Sequence, residues 1–218
     1  MAADPIGAFL DRVRALPAPA DAEALYLDDP ADPAGRLRGR NLTRYLELMR
    51  EIGPKVMLVA EAPGYRGATI TGVPFMGVRQ VGARPGLITG RPEGDGFLVP
   101  ENPVVDWEAS ASAVWGALAV WKGRLPLLWG IYPHHPFLAG DVHTNRTPRA
   151  SEVAAGAPIA LALAETFGIT TFVAVGRKSQ GALAAGGITA TAVRHPAQGG
   201  ARIFAEQVAA LNARQERE

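Results

Sequence analysis

Glu61 and His195 carry the most chemistry in this chain, because each is delivered by an apolar run that breaks abruptly into a turn. The run Lys55–Val56–Met57–Leu58–Val59–Ala60 leads to Glu61 and breaks at Ala62–Pro63–Gly64. Thr189–Ala190–Thr191–Ala192–Val193 ends in the same way on Arg194–His195–Pro196. A carboxylate and an imidazole at equivalent strand ends are opposite electrostatic tools at one mouth, which cleavage of a glycosidic bond requires. The plain alternative is that each side chain only hydrogen-bonds the amides of its own turn. Phe75, in Gly72–Val73–Pro74–Phe75, follows the Glu61 turn closely. It is either core or a stacking floor for a planar ring, worth about 1–3 kcal/mol per base.

The elements that must position these residues are legible from their patterning. The Glu61 run shows no polar alternation, as expected of a strand buried on both faces, and ligands of open α/β sheets bind at such strand ends. Leu125–Tyr132, Thr170–Val175 and Thr189–Val193 read as three further strands. Helices are expected over Pro5–Leu16, Arg40–Ile52, Trp107–Trp121, Arg177–Ala185 and Ala201–Ala213. Another begins near Thr147–Pro148, with Thr147 as cap and Pro148 at the first helical position, and runs to about Phe167. Pro17–Pro33 reads as a connection that wraps without packing, so residues 1–38 form an N-terminal helix and wrapping segment. Gly77–Pro103 reads as a long irregular loop, functional or ordered by a ligand. The alternation of helices with buried strands predicts one domain over 1–218, a three-layer α/β/α sandwich with a mostly parallel sheet of about four strands.

Composition narrows the chemistry. The chain has 218 residues, 48% of them hydrophobic, enough for one substantial core. It has no cysteine, which removes disulfides, thiolate metal sites and cysteine nucleophiles. With 22 basic and 21 acidic residues, the formal charge of +1 leaves only local nucleic-acid contacts. Acidic and proline-interrupted early residues, with no long apolar run, point away from a secretory leader or membrane span and toward a cytoplasmic protein, which is expected to be a monomer. Val173–Ser179 lacks the first glycine of a phosphate loop and reads as a strand-to-helix turn. His134, His135, His143 and Asp141 lack metal-ligand spacing, and no G-x-S-x-G elbow follows a strand.

Three segments in order resemble the uracil-DNA glycosylase superfamily. Glu61–Ala62–Pro63–Gly64 with Thr71–Gly72–Val73–Pro74–Phe75 is similar to the family's water-activating turn and base-stacking aromatic. Leu127–Pro136 with Asn145–Arg146–Thr147–Pro148 resembles the central strand and following loop of bacterial members. His195–Pro196–Ala197–Gln198–Gly199–Gly200 resembles the histidine loop that enters the minor groove. The resemblance implies hydrolysis of the bond between a deaminated base and deoxyribose, after the nucleotide flips out of DNA, in base-excision repair. Glu61 and His195 would be catalytic, and Ala62, Tyr65, Phe75, Gly130 and Asn145 would bind the base. Arg66, Arg146, Gln198, Gly199 and Arg202 would contact DNA. No metal or organic cofactor is implied, and the missing cysteines exclude the iron–sulfur branch.

Gly130 stands where many members carry an asparagine that reads the base edge. Losing a bidentate amide weakens discrimination by about ten- to hundredfold. A widened pocket, an amide supplied by Asn145 and lost activity all remain open. A DNA-binding member without catalysis and a small-molecule nucleoside hydrolase are the alternative functions.

Overall fold

A computed structural model describes residues 4–215, which form eight helices and six strands. Four strands make one parallel sheet: β2 (Val56–Ala60), β3 (Leu127–Gly130), β5 (Thr171–Val175) and β6 (Thr191–Val193), in the order β3-β2-β5-β6. β1 (Ala22–Glu23) and β4 (His135–Pro136) pair separately and antiparallel. Helices α1 (Pro5–Ala15), α6 (Ala150–Phe167) and α7 (Arg177–Ala185) pack in series, and α5 (Ala109–Leu118) packs on α8 (Ala201–Gln215). Right-handed crossovers put these groups on opposite faces, completing the expected three layers. The element over Pro33–Ile52 is α2; α3 (Ala68–Thr71) and α4 (Val78–Val81) are single turns.

The sheet order defines where a ligand goes. After β2 the chain moves to β3, and after β5 it moves the other way to β6, so the connections diverge between β2 and β5. That divergence is the topological switch point, and the crevice opens beyond the carboxyl ends of these strands. Ala60 pairs with Gly130 and Val175 with Val193, so the turns bearing Glu61 and His195 leave the sheet at nearly one level. One strand separates them, placing their backbones about 10 Å apart.

Local signals explain most boundaries. Asp4 caps α1 by accepting from the amides of Ile6 and Gly7, and Ile6, Phe9, Leu10 and Val13 form its buried stripe. Gly156 lets α6 approach the sheet, since a Cβ there would stand 2.1 Å from the carbonyl oxygen of Ile131.

Four expectations need correction. Helix α2 begins at Pro33, two turns before Arg40, because Asp32 accepts from the Gly35 amide and Pro33 fills the first helical position. The 17–33 connection packs: Leu25 and Tyr26 are buried, and the Tyr26 hydroxyl donates to Gly72 O. Helix α6 starts at Ala150 with Arg149 as its cap residue, so Thr147 and Pro148 lie outside it. The 77–103 loop is anchored internally. Buried Asp95 accepts from the Ile88 and Thr89 amides and the Thr89 hydroxyl, while buried Asn41 bonds both backbone groups of Leu98. None of its residues lines the crevice.

Candidate active site

The crevice is a cleft of about 930 Å³ lined by Glu61, Phe75, Gly130 and His195, together with Tyr26, Glu108, Asn145 and Lys178. Glu61 is half-buried at the end of β2. Burial pushes its carboxyl up from the ordinary range, and the Lys178 ammonium opposes that rise. Lys178 itself donates to the Thr147 hydroxyl at 2.8 Å, which holds the cation at the cleft wall.

His195 is equally half-buried. The Ala197 amide donates to its Nδ1 at 3.1 Å, so the ring proton of the neutral imidazole sits on Nε2. Burial lowers its pKa, and Arg194 and Lys178 lower it further, so the ring is a neutral donor near pH 7. Its turn is tight: Gln198 and Gly199 both have positive φ, at 52° and 73°.

Phe75 occupies the left-handed region at φ 57°, a costly conformation for a bulky residue, on the order of 1–3 kcal/mol. The turn is held by the Trp115 indole, which donates to Phe75 O at 3.1 Å, and by the Thr71 hydroxyl, which donates to Met76 O at 2.6 Å. Backbone strain of this kind concentrates at functional sites, and here it carries an aromatic ring into the cleft.

The remaining expected residues divide. Ala62, Gly130, Asn145 and Gln198 line the same cleft. Tyr65 does not, and its amide donates to Asn145 Oδ1 at 3.1 Å. Its hydroxyl accepts from Arg66 Nε at 2.6 Å and its ring lies beside His143, and neither Tyr65 nor Arg66 lines the cleft. Gly199 and Arg202 also lie outside the cleft lining, and Arg202 pairs with Glu206 along α8.

Arg146 reaches the cleft wall, and its guanidinium is bonded to neighbouring acids. It donates to both oxygens of Glu152 at 2.7 and 2.8 Å and lies 3.4 Å from Asp21. The paired histidines are also structural: His134 Nε2 donates to Leu16 O, and both ring nitrogens of His135 face carbonyl oxygens, of Pro63 and Val142.

Tyr26, Glu108 and Lys178 were not anticipated as site residues. Lys178 had a signal, since it follows the β5–α7 turn at the switch point. Tyr26 and Glu108 come from segments whose local sequence says nothing about the cleft.

The fold is shared with a protein of known structure. Among solved structures the chain is similar to the crystal structure of wild-type Pedobacter heparinus SMUG2, with a TM-score of 0.64 at 14% sequence identity, covering 95% of this chain and 98% of that one. No protein-family model and no curated protein matches the sequence. Among the described residues, no helix is long and apolar enough to cross a membrane.

Proposed function

We propose that the chain is a monofunctional DNA glycosylase that hydrolyses the N-glycosidic bond of uracil or another deaminated base. The observation that carries this reading is the convergence of Glu61 and His195 on one cleft that also holds the strained Phe75 ring. The reading is supported by the fold shared with SMUG2 and by the three ordered sequence segments.

In this mechanism the nucleotide leaves the duplex and its base stacks on Phe75. As the glycosidic bond lengthens, the sugar gains positive charge and the base negative charge. Ionised Glu61 accepts a hydrogen bond from water on the sugar side and stabilises the cation through its charge. His195 Nε2–H donates to the base oxygen that gathers the negative charge. A neutral histidine suits this task, because a donor is needed and a proton need not be transferred. Water then adds to the anomeric carbon, its proton passes to Glu61, and the base departs.

The test uses single- and double-stranded oligonucleotides carrying uracil, hypoxanthine or xanthine, followed by alkali. Strand scission at the lesion is expected with at least one base, and Glu61→Gln and His195→Ala should each reduce it strongly. No scission on any substrate removes the enzymatic reading. Full activity in both variants reassigns the roles.

A further inference from the structure

The cleft contains one carboxyl group that the mechanism leaves unused. Glu108 stands at the N-cap of α5, yet its side chain makes no cap hydrogen bond. No cation or donor among the described residues engages its carboxyl oxygens. Burial without compensation pushes the group up to about 7. An unpartnered carboxyl facing a cleft calls for a ligand group to satisfy it.

Its position is defined by two glycines. Oε2 lies against Gly67, where a Cβ would stand 2.0 Å from it, so only the absence of a side chain admits the carboxyl there. Oε1 lies 3.6 Å from the point a Gly64 Cβ would occupy. Asn145 Oδ1 and Nδ2 lie 3.7 and 3.8 Å from the same point. Gly64, Glu108 and Asn145 all line the cleft, so the missing Gly64 side chain leaves a slot bordered by a carboxyl and an amide. The Tyr65 amide donates to Asn145 Oδ1, which fixes the amide orientation and leaves Nδ2 as the donor facing the slot. Gly130 brings no side chain to compete.

We propose that Glu108 and Asn145 are the specificity-determining residues of the cleft, reading the lactam edge, C(=O)–N–H, of a deaminated base seated over Gly64. Asn145 Nδ2–H donates to the lactam oxygen, and a Glu108 oxygen accepts from the lactam N–H. A neutral carboxyl retains one acceptor oxygen and an ionised one has two, so the N–H is satisfied in either state. The edge of cytosine or adenine places an amino group against the Asn145 donor, leaving donors unpaired, and such mismatches discriminate strongly. Uracil, hypoxanthine and xanthine share the lactam, so one pair of residues serves the whole class.

This inference rests on the excision reading above, and a binding measurement separates the two. Dissociation constants of 1-methyluracil and 1,3-dimethyluracil, whose blocked N1 mimics the glycosidic bond, are measured by NMR titration on the full chain, for the wild type, Glu108→Ala and Glu108→Gln. The wild type should prefer 1-methyluracil by about tenfold or more, the scale of a paired base edge. Glu108→Ala should erase that preference while binding 1,3-dimethyluracil as before, which also reports an intact cleft. Glu108→Gln keeps an acceptor oxygen and should retain the preference. An unchanged preference in Glu108→Ala, or no preference in the wild type, overturns the assignment. A chain that excises uracil with a preference indifferent to Glu108 keeps the catalytic reading and loses this one. One that excises nothing yet shows the Glu108-dependent preference does the reverse.

Discussion

Two neighbourhoods of carboxyl groups lie on adjoining parts of this molecule and are treated oppositely. Beside β4 and the start of α6, Glu152 receives two hydrogen bonds from Arg146 and one from the Arg149 amide at 2.6 Å, and Asp21 is bonded by both arginines. The Arg146 hydrogen bonds hold Glu152 below the ordinary carboxyl range, and the Arg149 hydrogen bond does the same for Asp21. In the cleft, Glu61 and Glu108 are half-buried, no such cation among the described residues is bonded to them, and both are pushed up. The fold therefore satisfies its charges at the joint and leaves two carboxyls of the cleft without a bonded cation, the pattern that the proposed ligand site calls for.

The sharpest way to break this contrast is to remove one carboxylate from each region. Glu61→Gln should lower excision by about 10²–10⁴-fold, the range of a positioned acid–base group, with thermal stability nearly unchanged. Glu152→Ala should do the opposite. It strips the bidentate partner from Arg146, whose side chain is only 13% exposed, and removes the α6 capping interaction. A loss of about 3 kcal/mol is expected, the low end for breaking a buried pair because Asp21 still faces the guanidinium. Denaturant melts of both variants, with single-turnover rates on the folded fraction, check the pair. Equal stability losses in the two would erase the distinction.

Phe75→Ala tests the same contrast on an apolar group and should have a smaller effect. Loss of stacking should weaken substrate binding by about 1–3 kcal/mol, read as a raised KM or dissociation constant on a lesion oligonucleotide. Folding should suffer less than for an ordinary buried phenylalanine, because the ring is only partly buried and its backbone is strained at φ 57°. Destabilisation on the scale of a core truncation, about 3–5 kcal/mol, with binding unchanged would return Phe75 to the core.

Most of this architecture was legible in the sequence because its signals are local. The unbroken apolar run before Glu61 can only be a strand buried on both faces, and Arg177–Ala185 is the helix its pattern predicts. What stayed hidden depends on distant partners. Arg38 dilutes the apolar stripe of early α2, yet it is buried because Glu23, Asp32 and Leu25 O receive its guanidinium. Arg146 and Asn145 are neighbours in a loop that looks uniformly solvated, but the Arg146 guanidinium is bonded to Glu152 while Asn145, held through Oδ1 by the Tyr65 amide, keeps Nδ2 toward the cleft. Leu25 and Tyr26 are two apolar residues in a Pro/Asp-rich stretch, and their burial depends on β1 pairing with β4 over a hundred residues away. Glu108 is indistinguishable by sequence from any acid before a helix; its meaning comes from lying against Gly64 and Gly67.

The smallest effect is a pH dependence of stability, and its sign differs between the two regions. Asp21 and Glu152 have lowered pKa values in the fold, so their contribution is present above the ordinary carboxyl range and is lost as pH falls through the lowered values. Glu108 is raised to about 7, so its contribution is complete below the ordinary carboxyl range and is lost as pH rises from that range through 7, where the half-buried group ionises. Glu108→Gln cannot ionise and should escape that loss. Its melting temperature should therefore gain on the wild type between pH 5 and pH 8, whereas Glu152→Gln should fall behind most at neutral pH. Parallel melting curves for Glu108→Gln and the wild type across that range would mean the carboxyl is solvated or paired, and the cleft would lose its claim to an unsatisfied acid.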